Sequence, residues 1–592
     1  MTRKIMTGNE AIARGAFEAG VTVGTAYPGT PSTEILESLA RYPGIECNWS
    51  TNEKVALEVA IGASLEGTRV LAAMKHVGVN VAADPLLTLS YIGVGGGLVL
   101  VSADDPGMHS SQNEQDNRHY ARFAKIPLLE PADSQEAKSF MIAAMDISEE
   151  YDTPVMLRTT TRISHSRTVV ELGERKITGK RKYQKKPAKY VMLPGFARRR
   201  HPLVEKRLLA LANEAGKSPF NRMEAGSGNE IGIICSGIVY QYVKEAFPSF
   251  PVLKLGFTYP LPVKLIEDFC SKVKTVLVIE ELDPFMAEQI KAHGISISGH
   301  SFFAPVGELS PEIIRDRISR FQNKVGPVAA EDPLEKTIPQ RPPILCPGCS
   351  HRGIFYVLKQ LKLRVVGDIG CYTLAALHPL QAIDTCVCMG ASIGMALGME
   401  KANPRSSMQT VAVIGDSTFL HSGITPLIDA VYNDSSLTVI ILDNSTTGMT
   451  GHQEHPGTGI TLQGEKNRAV NIAALCRGLG VERVVETDTS DLGVLRQTIE
   501  TEVARGELSV IVYRQPCILK SRTFSDPLHI DPEKCNGCKA CLQPGCPSIR
   551  FLDGKALVDP ATCTGCGLCQ QLCKRDAIGT RKKGGNREHE KN

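Results

Sequence analysis

Eight cysteines crowd between Cys535 and Cys573, in CNGCKACLQPGCP at 535–547 and CTGCGLCQQLCK at 563–574. The residues around them form short turns with little apolar periodicity. Such a segment cannot pack a core alone, so a bound metal must organise it. Thiolates are soft ligands that suit iron–sulfur clusters and zinc, and spacing separates the two. Zinc sites use four ligands in paired C-x2-C units. A C-x2-C-x2-C run followed by a more distant cysteine is an iron–sulfur pattern, whose fourth cysteine ligates the other cluster of a two-cluster module. The spacing therefore predicts one cluster on Cys535, Cys538, Cys541 and Cys573, and a second on Cys563, Cys566, Cys569 and Cys546. Two details depart from the common run. Four residues, LQPG, separate Cys541 from Cys546 where three are usual, and Lys574 stands where a proline usually follows the last cysteine. Neither changes the ligand count, although both can move a cluster potential.

Of the 18 cysteines in the chain, Cys346, Cys349, Cys371 and Cys517 lie beside other motifs. Cys47, Cys235, Cys270, Cys386, Cys388 and Cys476 sit mostly in apolar stretches and read as small buried hydrophobes. This many thiols behind a start, MTRKIMTGNEAIARGAF, with no long apolar leader core fits metal or redox chemistry in a reducing cytosol better than disulfides. No stretch approaches the ~18 apolar residues that span a bilayer, so a cytoplasmic location is expected. The chain has 592 residues, 42% hydrophobic and 22% charged, which describes a globular protein of about three to five domains. Its formal charge of +4 is small for that length and makes no global case for nucleic acid.

From about 8 to 165 helices alternate with strands. EAIARGAFEAG and TEILESLARY read as helices, and VTVGTAY, TRVLAAM, GLVLVSA and TPVMLRTT as strands, a pattern that favours a parallel sheet between helical layers. Residues 172–229 lose the pattern and become basic in RKITGKRKYQKK and ARRRHP, which reads as a solvated linker or surface excursion. Alternation resumes with EIGIICSG, PVLKLGF and TVLVIEE. It breaks at the Pro-rich EDPLEKTIPQRPPILCPG and returns with LRVVGDIG, QTVAVIGDS, LTVIILDNS and LSVIVYRQP. The expected divisions are 1–190, a basic linker at 191–229, 230–325, 335–524, 525–580 and a charged tail at 581–592.

In TVAVIGDSTFLHSGITPLIDAVYNDSSLTVIILDNSTTGMTG, Asp416 falls at the carboxyl end of one strand and Asn444 at the carboxyl end of the next, where open α/β sheets bind ligands. A carboxylate, an amide oxygen and a turn carbonyl such as that of Thr446 can face one Mg2+ while diphosphate oxygens and water complete its octahedron. Gly415 would let the backbone approach a diphosphate. Gly-Asp-Ser and Asp-Asn also suit ordinary strand-ending turns. The segment resembles the thiamine diphosphate motif, usually Gly-Asp-Gly and then Asn-Asn, with Ser417 and Asp443 replacing a Gly and an Asn. That cofactor class uses a glutamate from a separate α/β domain, in a segment like N-E-x-x-A at a helix start, to reach the aminopyrimidine N1′. NEKVALEVAIGASLE at 52–66 places Glu53 in a first helical turn, where a carboxylate would also simply favour the helix dipole.

Thiamine motifs, a middle α/β domain and a two-cluster ferredoxin run in one chain resemble the 2-oxoacid:ferredoxin oxidoreductases. The order of parts, with YPGTPSTEI near the start and CPGCSHRG opening the third α/β unit, is similar to large (alpha) subunits of the indolepyruvate branch. The resemblance covers nearly the whole chain and is weakest over 172–229. It implies three doubly wound α/β domains, namely two thiamine diphosphate-binding folds and a transketolase C-terminal-like domain, followed by a small ferredoxin-like α+β domain with two [4Fe–4S] clusters. It implies catalytic Glu53, a Mg2+–thiamine diphosphate site on Gly415, Asp416, Ser417, Asn444 and Thr446, and a third, proximal cluster on Cys346, Cys349, Cys371 and Cys517. Core cysteines or an oxidised C-x2-C pair compete with that last assignment. In YPGTPSTEI, Thr30 would serve as helix N-cap with Pro31 at the first helical position, and it would also border the oxo acid. Arginine suits a substrate carboxylate, with Arg118, Arg122 and Arg162 as candidates.

The implied activity is oxidative decarboxylation of an aryl 2-oxo acid such as indolepyruvate or phenylpyruvate with coenzyme A, giving arylacetyl-CoA and reduced ferredoxin. Pyruvate or branched-chain substrates, a non-oxidative decarboxylase with structural clusters, and a relay subunit with a dead cofactor site are the alternatives. The implied partners are ferredoxin, a separate small beta subunit of roughly two hundred residues, and a second copy of the chain; nucleic acid and membrane are not expected.

Overall fold

The computed structural model describes residues 2–176, 179, 183, 185–299, 302–303, 305–325 and 343–580. Most of the Pro-rich boundary, the charged tail and part of the basic run at 175–186 lie outside the described residues. The chain divides into two compact units, Met1–Ile338 and Pro339–Asn592.

The first unit contains a seven-stranded sheet in the order Phe257–Tyr259, Leu128–Leu129, Val155–Thr160, Leu98–Asp104, Val70–Lys75, Val23–Ala26 and Glu46–Trp49. Only the outermost pair, Phe257–Tyr259 with Leu128–Leu129, is antiparallel. Val70–Lys75, Leu98–Asp104 and Val155–Thr160 are buried along their whole length. Parallel strands covered on both faces read as continuous apolar runs rather than alternating ones. The chain runs from Val23–Ala26 outward to Glu46–Trp49, then returns past it to Val70–Lys75. The winding direction thus reverses between Val23–Ala26 and Val70–Lys75, which opens a crevice at their carboxyl ends.

A second sheet in this unit runs Thr275–Ile279, Ile231–Ser236, Val252–Leu255 and Arg222–Glu224, the last strand antiparallel. Residues 194–217, expected as basic linker, instead form one helix, Pro194–Lys217. Val204, Leu211 and Ala215 are buried on it, and Leu208 packs, partly buried, against a core of this unit. These positions recur at helical spacing and make an apolar stripe between the cations. Three of the cations in and before this helix are fastened. Arg207 donates to the carbonyls of Asp152 (2.8 Å) and Ser90 (2.7 Å), and Arg200 and Lys189 both pair with Asp152.

The second unit holds an all-parallel sheet, Arg364–Val366, Thr410–Gly415, Thr438–Asp443, Ser509–Arg514 and Arg483–Thr487. The chain turns helical at Asp416 and stays so to Tyr432, with a π turn at Phe419–Gly423, an irregularity frequent at functional sites. The cysteine-rich segment forms two antiparallel ribbons, Leu528–Ile530 with Ile578–Thr580 and Ile549–Leu552 with Lys555–Val558. Its small core of Leu528, Ile530, Cys541, Ile549, Ala556 and Ile578 has five further cysteines packed against it, so thiols supply much of the packing. Among the described residues no helix is long and apolar enough to cross a membrane.

Candidate active site

In the first unit, functional groups gather at the carboxyl ends of the strands. Asn52 caps the helix Glu53–Leu65 by accepting from the Val55 amide, which sets Glu53 in the first turn. Glu53 is only 5% exposed. Its carboxyl lies against Gly78, where a Cβ would come within 2.6 Å of Glu53 Cγ and Oε1. Tyr27-Pro28-Gly29-Thr30 follows Val23–Ala26, and Lys75 ends the neighbouring strand. A Cβ on Gly29 would meet Lys75 Cβ at 3.1 Å. Lys75 is 8% exposed, and its Nζ donates to the Ser110 carbonyl at 2.5 Å. Ser110 Oγ in turn donates to the Thr30 carbonyl. Burial pushes the Lys75 ammonium down to about 8, with Asp105 and Glu53 pulling the other way. Asp105 accepts from the Ser110 amide, Ser111 and Thr161.

The YPGTPSTEI loop corrects one expectation. Its helix begins at Thr33, with Ser32 at the cap position, so Thr30 is not the N-cap and Pro31 not the first helical residue. Instead Thr33 Oγ1 accepts from the Gly29 amide and Ser32 donates back to the Gly29 carbonyl, closing the loop beside Lys75. The arginines resolve as well. Arg118 is 1% exposed and spent on Asp116, Glu280 and the carbonyls of Glu281 and Asp283. Arg122 is exposed on a helix, and Arg162 pairs with Glu308.

In the second unit, two turns interlock at the ends of Thr410–Gly415 and Thr438–Asp443. Asp416, 2% exposed, accepts from the Ser417 and Ser445 amides and contacts His455 Nε2 at 3.2 Å. Asn444 Oδ1 accepts from the Thr446 amide, and Thr447 donates to Ser417 Oγ. Burial pushes the Asp416 carboxyl above the usual range, opposed by the His455 hydrogen bond. A buried carboxylate and an amide on adjoining turns fit a divalent cation. The close neighbour of Gly415 is Tyr372: its hydroxyl accepts from the Gly415 amide, and its ring lies 2.9 Å from where a Cβ would stand. The sequence expectation placed a diphosphate there.

The cysteines assemble in three groups. Burial, then the Cys346 and Cys371 thiols, pushes Cys349 up to about 12, and burial with Cys517 and Cys346 takes Cys371 to about 11. The Cys517 amide donates to the Asn444 carbonyl. The position of a Cβ on Gly448 lies 3.4 Å from Cys371 Sγ and 3.8 Å from Asn444 Nδ2, so this group abuts the Asn444 turn. Cys541 is raised by burial and by Cys535, Cys538 and Cys573; burial with Cys566, Cys546 and Cys563 takes Cys569 to about 12. Among the described residues, the trio of ligand atoms that comes within 4.8 Å of one another is Asp116, His119 and Asp283, not any cysteines. Thiols gathered in this way suit a soft metal or an iron–sulfur cluster.

Residues 14–208 match the family described as "Pyruvate flavodoxin/ferredoxin oxidoreductase, thiamine diP-bdg", 368–513 the "Thiamine pyrophosphate enzyme, C-terminal TPP binding domain", and 527–574 the "4Fe-4S dicluster domain". The chain is 41% identical to the indolepyruvate oxidoreductase subunit IorA of Archaeoglobus fulgidus and 43% to that of Methanothermobacter marburgensis, covering 97% of this chain and 97% of each relative. This chain belongs to the IorA family. A 2-oxoglutarate synthase subunit KorA of Methanothermobacter thermautotrophicus is 31% identical over 28% of this chain and 47% of its own. As an IorA-family protein, the chain is a thiamine diphosphate-dependent 2-oxoacid oxidoreductase with an iron–sulfur acceptor.

Several residues beside the candidate groups of each unit escaped sequence reasoning. Lys75 was legible only as a cation closing the apolar run TRVLAAM. His455 and Tyr372 stand outside any motif. Gly78 likewise belongs to no motif read from the sequence. Of the six cysteines expected to be buried, Cys47, Cys235 and Cys476 are, whereas Cys270 and Cys386 are half-buried and Cys388 is exposed. Cys386 and Cys388 precede the helix Ala391–Ala402 rather than lying on a strand, so no sheet covers them.

Proposed function

We propose that this chain is the catalytic large subunit of an indolepyruvate:ferredoxin oxidoreductase. It decarboxylates aryl 2-oxo acids such as indolepyruvate and phenylpyruvate with coenzyme A, giving arylacetyl-CoA and CO2, and passes the electrons through [4Fe–4S] clusters to ferredoxin. The observation that carries this reading is the approach of Cys371 to Asn444 across Gly448. A cluster seated against the diphosphate turn suits a reaction that must remove electrons where they are released. A non-oxidative decarboxylase has no use for that placement.

In this reading Asp416 and Asn444, with the Thr446 carbonyl, hold Mg2+, and Gly415 and Ser417 shape the turn around a diphosphate. Glu53 presents its carboxyl to the aminopyrimidine N1′. Bound thiamine diphosphate supplies the electron sink that decarboxylation needs. Thr30 borders the oxo acid, and Lys75, held by the Ser110 carbonyl at the crevice of the first sheet, receives its carboxylate. Cys346, Cys349, Cys371 and Cys517 hold a proximal cluster, and the two C-terminal sets hold the others. A separate small subunit of roughly two hundred residues completes the enzyme, a second copy of the chain shares in the thiamine site, and the assembly is cytoplasmic.

Anaerobically purified chain should contain about twelve iron atoms, as three clusters of four require; about eight would remove the proximal one. With the small subunit, coenzyme A and a low-potential dye, aryl oxo acids should be oxidised in preference to pyruvate, branched-chain acids and 2-oxoglutarate. Equal turnover of all of them would overturn the substrate assignment, and aldehyde release without dye reduction would overturn the oxidative one.

A further inference from the structure

Between the cysteine groups of the second unit lies Arg352, 3% exposed, on the helix His351–Gln360 that follows CPGC. Its Nε donates to the Cys346 carbonyl at 3.0 Å, one terminal nitrogen to the Leu345 carbonyl, and the other to the carbonyls of Pro544 (2.8 Å) and Gly545 (2.7 Å). Two of these carbonyls belong to the CPGC loop and two to LQPG, the four-residue spacer before Cys546. Among the described residues no carboxylate pairs with it; the ionisable groups that bear on it most are Cys349, Cys546, Cys346 and Cys566. Gly348 and Gly545 have φ of +67° and +71°. A Cβ on Gly348 would collide with Thr564, and one on Gly545 would stand 2.7 Å from Pro379 and 3.4 Å from Arg352. A small cavity beside it is lined by Cys349, Arg352, Cys541, Cys546, Cys563, Cys566 and Cys569 among others.

We propose that Arg352 is a positioning residue for electron transfer: it fastens the CPGC loop to the LQPG loop, and its charge raises the reduction potential of the two clusters on either side of it. The inference rests on the cluster assignments above. A guanidinium is never deprotonated in proteins, so its charge is fixed. Held by carbonyls alone in a desolvated place, it favours the state of a neighbouring cluster that carries one more electron. One electron passes between two clusters; no bond forms or breaks and no proton moves. The cluster of Cys535, Cys538, Cys541 and Cys573 reaches the cavity only through Cys541, and none of its thiols is among those that bear most on Arg352, so it serves as an internal reference. The longer spacer acquires a purpose too, since it offers two consecutive carbonyls to one guanidinium nitrogen.

The test uses the holoenzyme with Arg352→Gln and Arg352→Lys, iron and sulfide analysis, and redox titration followed by electron paramagnetic resonance. Arg352→Gln should lower the reduced-to-oxidised ratio of the two flanking clusters at least tenfold at a fixed potential, about 59 mV for a one-electron couple, with the third cluster unmoved. Arg352→Lys, which keeps the charge but not the fork, should hold the potentials and speed amide exchange at 542–549. Full iron with three unshifted potentials in Arg352→Gln, or one equal shift in all three, overturns the proposal. If Arg352→Gln purifies short of iron, Arg352→Lys decides: faster exchange at 542–549 with unshifted potentials sustains it, and unchanged exchange overturns it. Wild-type protein without iron overturns the cluster assignment itself, before any variant is made.

Discussion

At the carboxyl edge of the sheet Thr410–Gly415, Thr438–Asp443 and Ser509–Arg514, the candidate ligands come from two short turns whose residues are neighbours in the sequence. At the edge of Val23–Ala26 and Val70–Lys75 they come from separated segments: Glu53 from a helix start, Gly78 from the next helix, Lys75 from a strand end, Ser110 from a loop and Thr30 from another. The first edge binds through hydrogen-bonded turns that hold one carboxylate ready for a cation. The second holds the buried charges of Glu53 and Lys75 at the strand ends. Desolvation makes each charge there sensitive to its exact neighbours, so the second edge should suffer more from small steric changes and the first should respond to cation supply.

Glu53→Gln should break the comparison most visibly, with turnover falling on the order of 10²- to 10⁴-fold while iron content stays whole. No amount of Mg2+ or thiamine diphosphate should restore it; full turnover would remove Glu53 from catalysis. Asp416→Asn should weaken cofactor binding by about 10²-fold, taking the upper end of what even indirect metal supports contribute, and should be partly rescued by high Mg2+. Rescue of Glu53→Gln rather than Asp416→Asn would invert the two edges. Gly78→Ala places a methyl 2.6 Å from the Glu53 carboxyl. Misplacement on that scale costs about 10²-fold in rate, and circular dichroism should show the fold intact.

Lys75→Met sharpens the contrast at the smallest expected effect, raising KM for the oxo acid about 10- to 100-fold with kcat less affected, as loss of a charge-assisted hydrogen bond predicts. The pH profile supplies the sign. Below pH 8 Lys75 is an ammonium and attracts the carboxylate; as pH rises past about 8 the charge is lost, so KM should climb in the parent enzyme. In Lys75→Met that climb should be absent, and an identical climb in both would clear Lys75 of the role.

Much of the fold was legible because buried parallel strands are continuous apolar runs. TPVMLRTT and LTVIILDNS enclose observed strands, and the strands under TRVLAAM and GLVLVSA run one residue further, to Lys75 and Asp104. The basic stretch misled for a related reason. Its cations outnumber the apolar residues, yet Val204, Leu208, Leu211 and Ala215 carry the helix while long side chains such as Arg207 thread their charged ends to carbonyls. Thr30 misled because its neighbours satisfy a capping pattern, whereas the chain spends Ser32 and Thr33 on closing the loop at Gly29.

The sequence by itself determined the ligand chemistry: thiolates at fixed spacing, a carboxylate and an amide at consecutive strand ends, and a glutamate at a helix start are local patterns, set by a few residues along the chain. Only the tertiary structure decided which charges are desolvated and against what. Arg118 left the list of carboxylate binders because Asp116 and Glu280 enclose it, and Lys75 entered because Gly29 and Ser110 cover it. The LQPG spacer turned from an irregularity into the surface that Arg352 grips. Burial and long-range hydrogen bonding depend on segments 35 to 193 residues apart in these cases, and no local spacing encodes them.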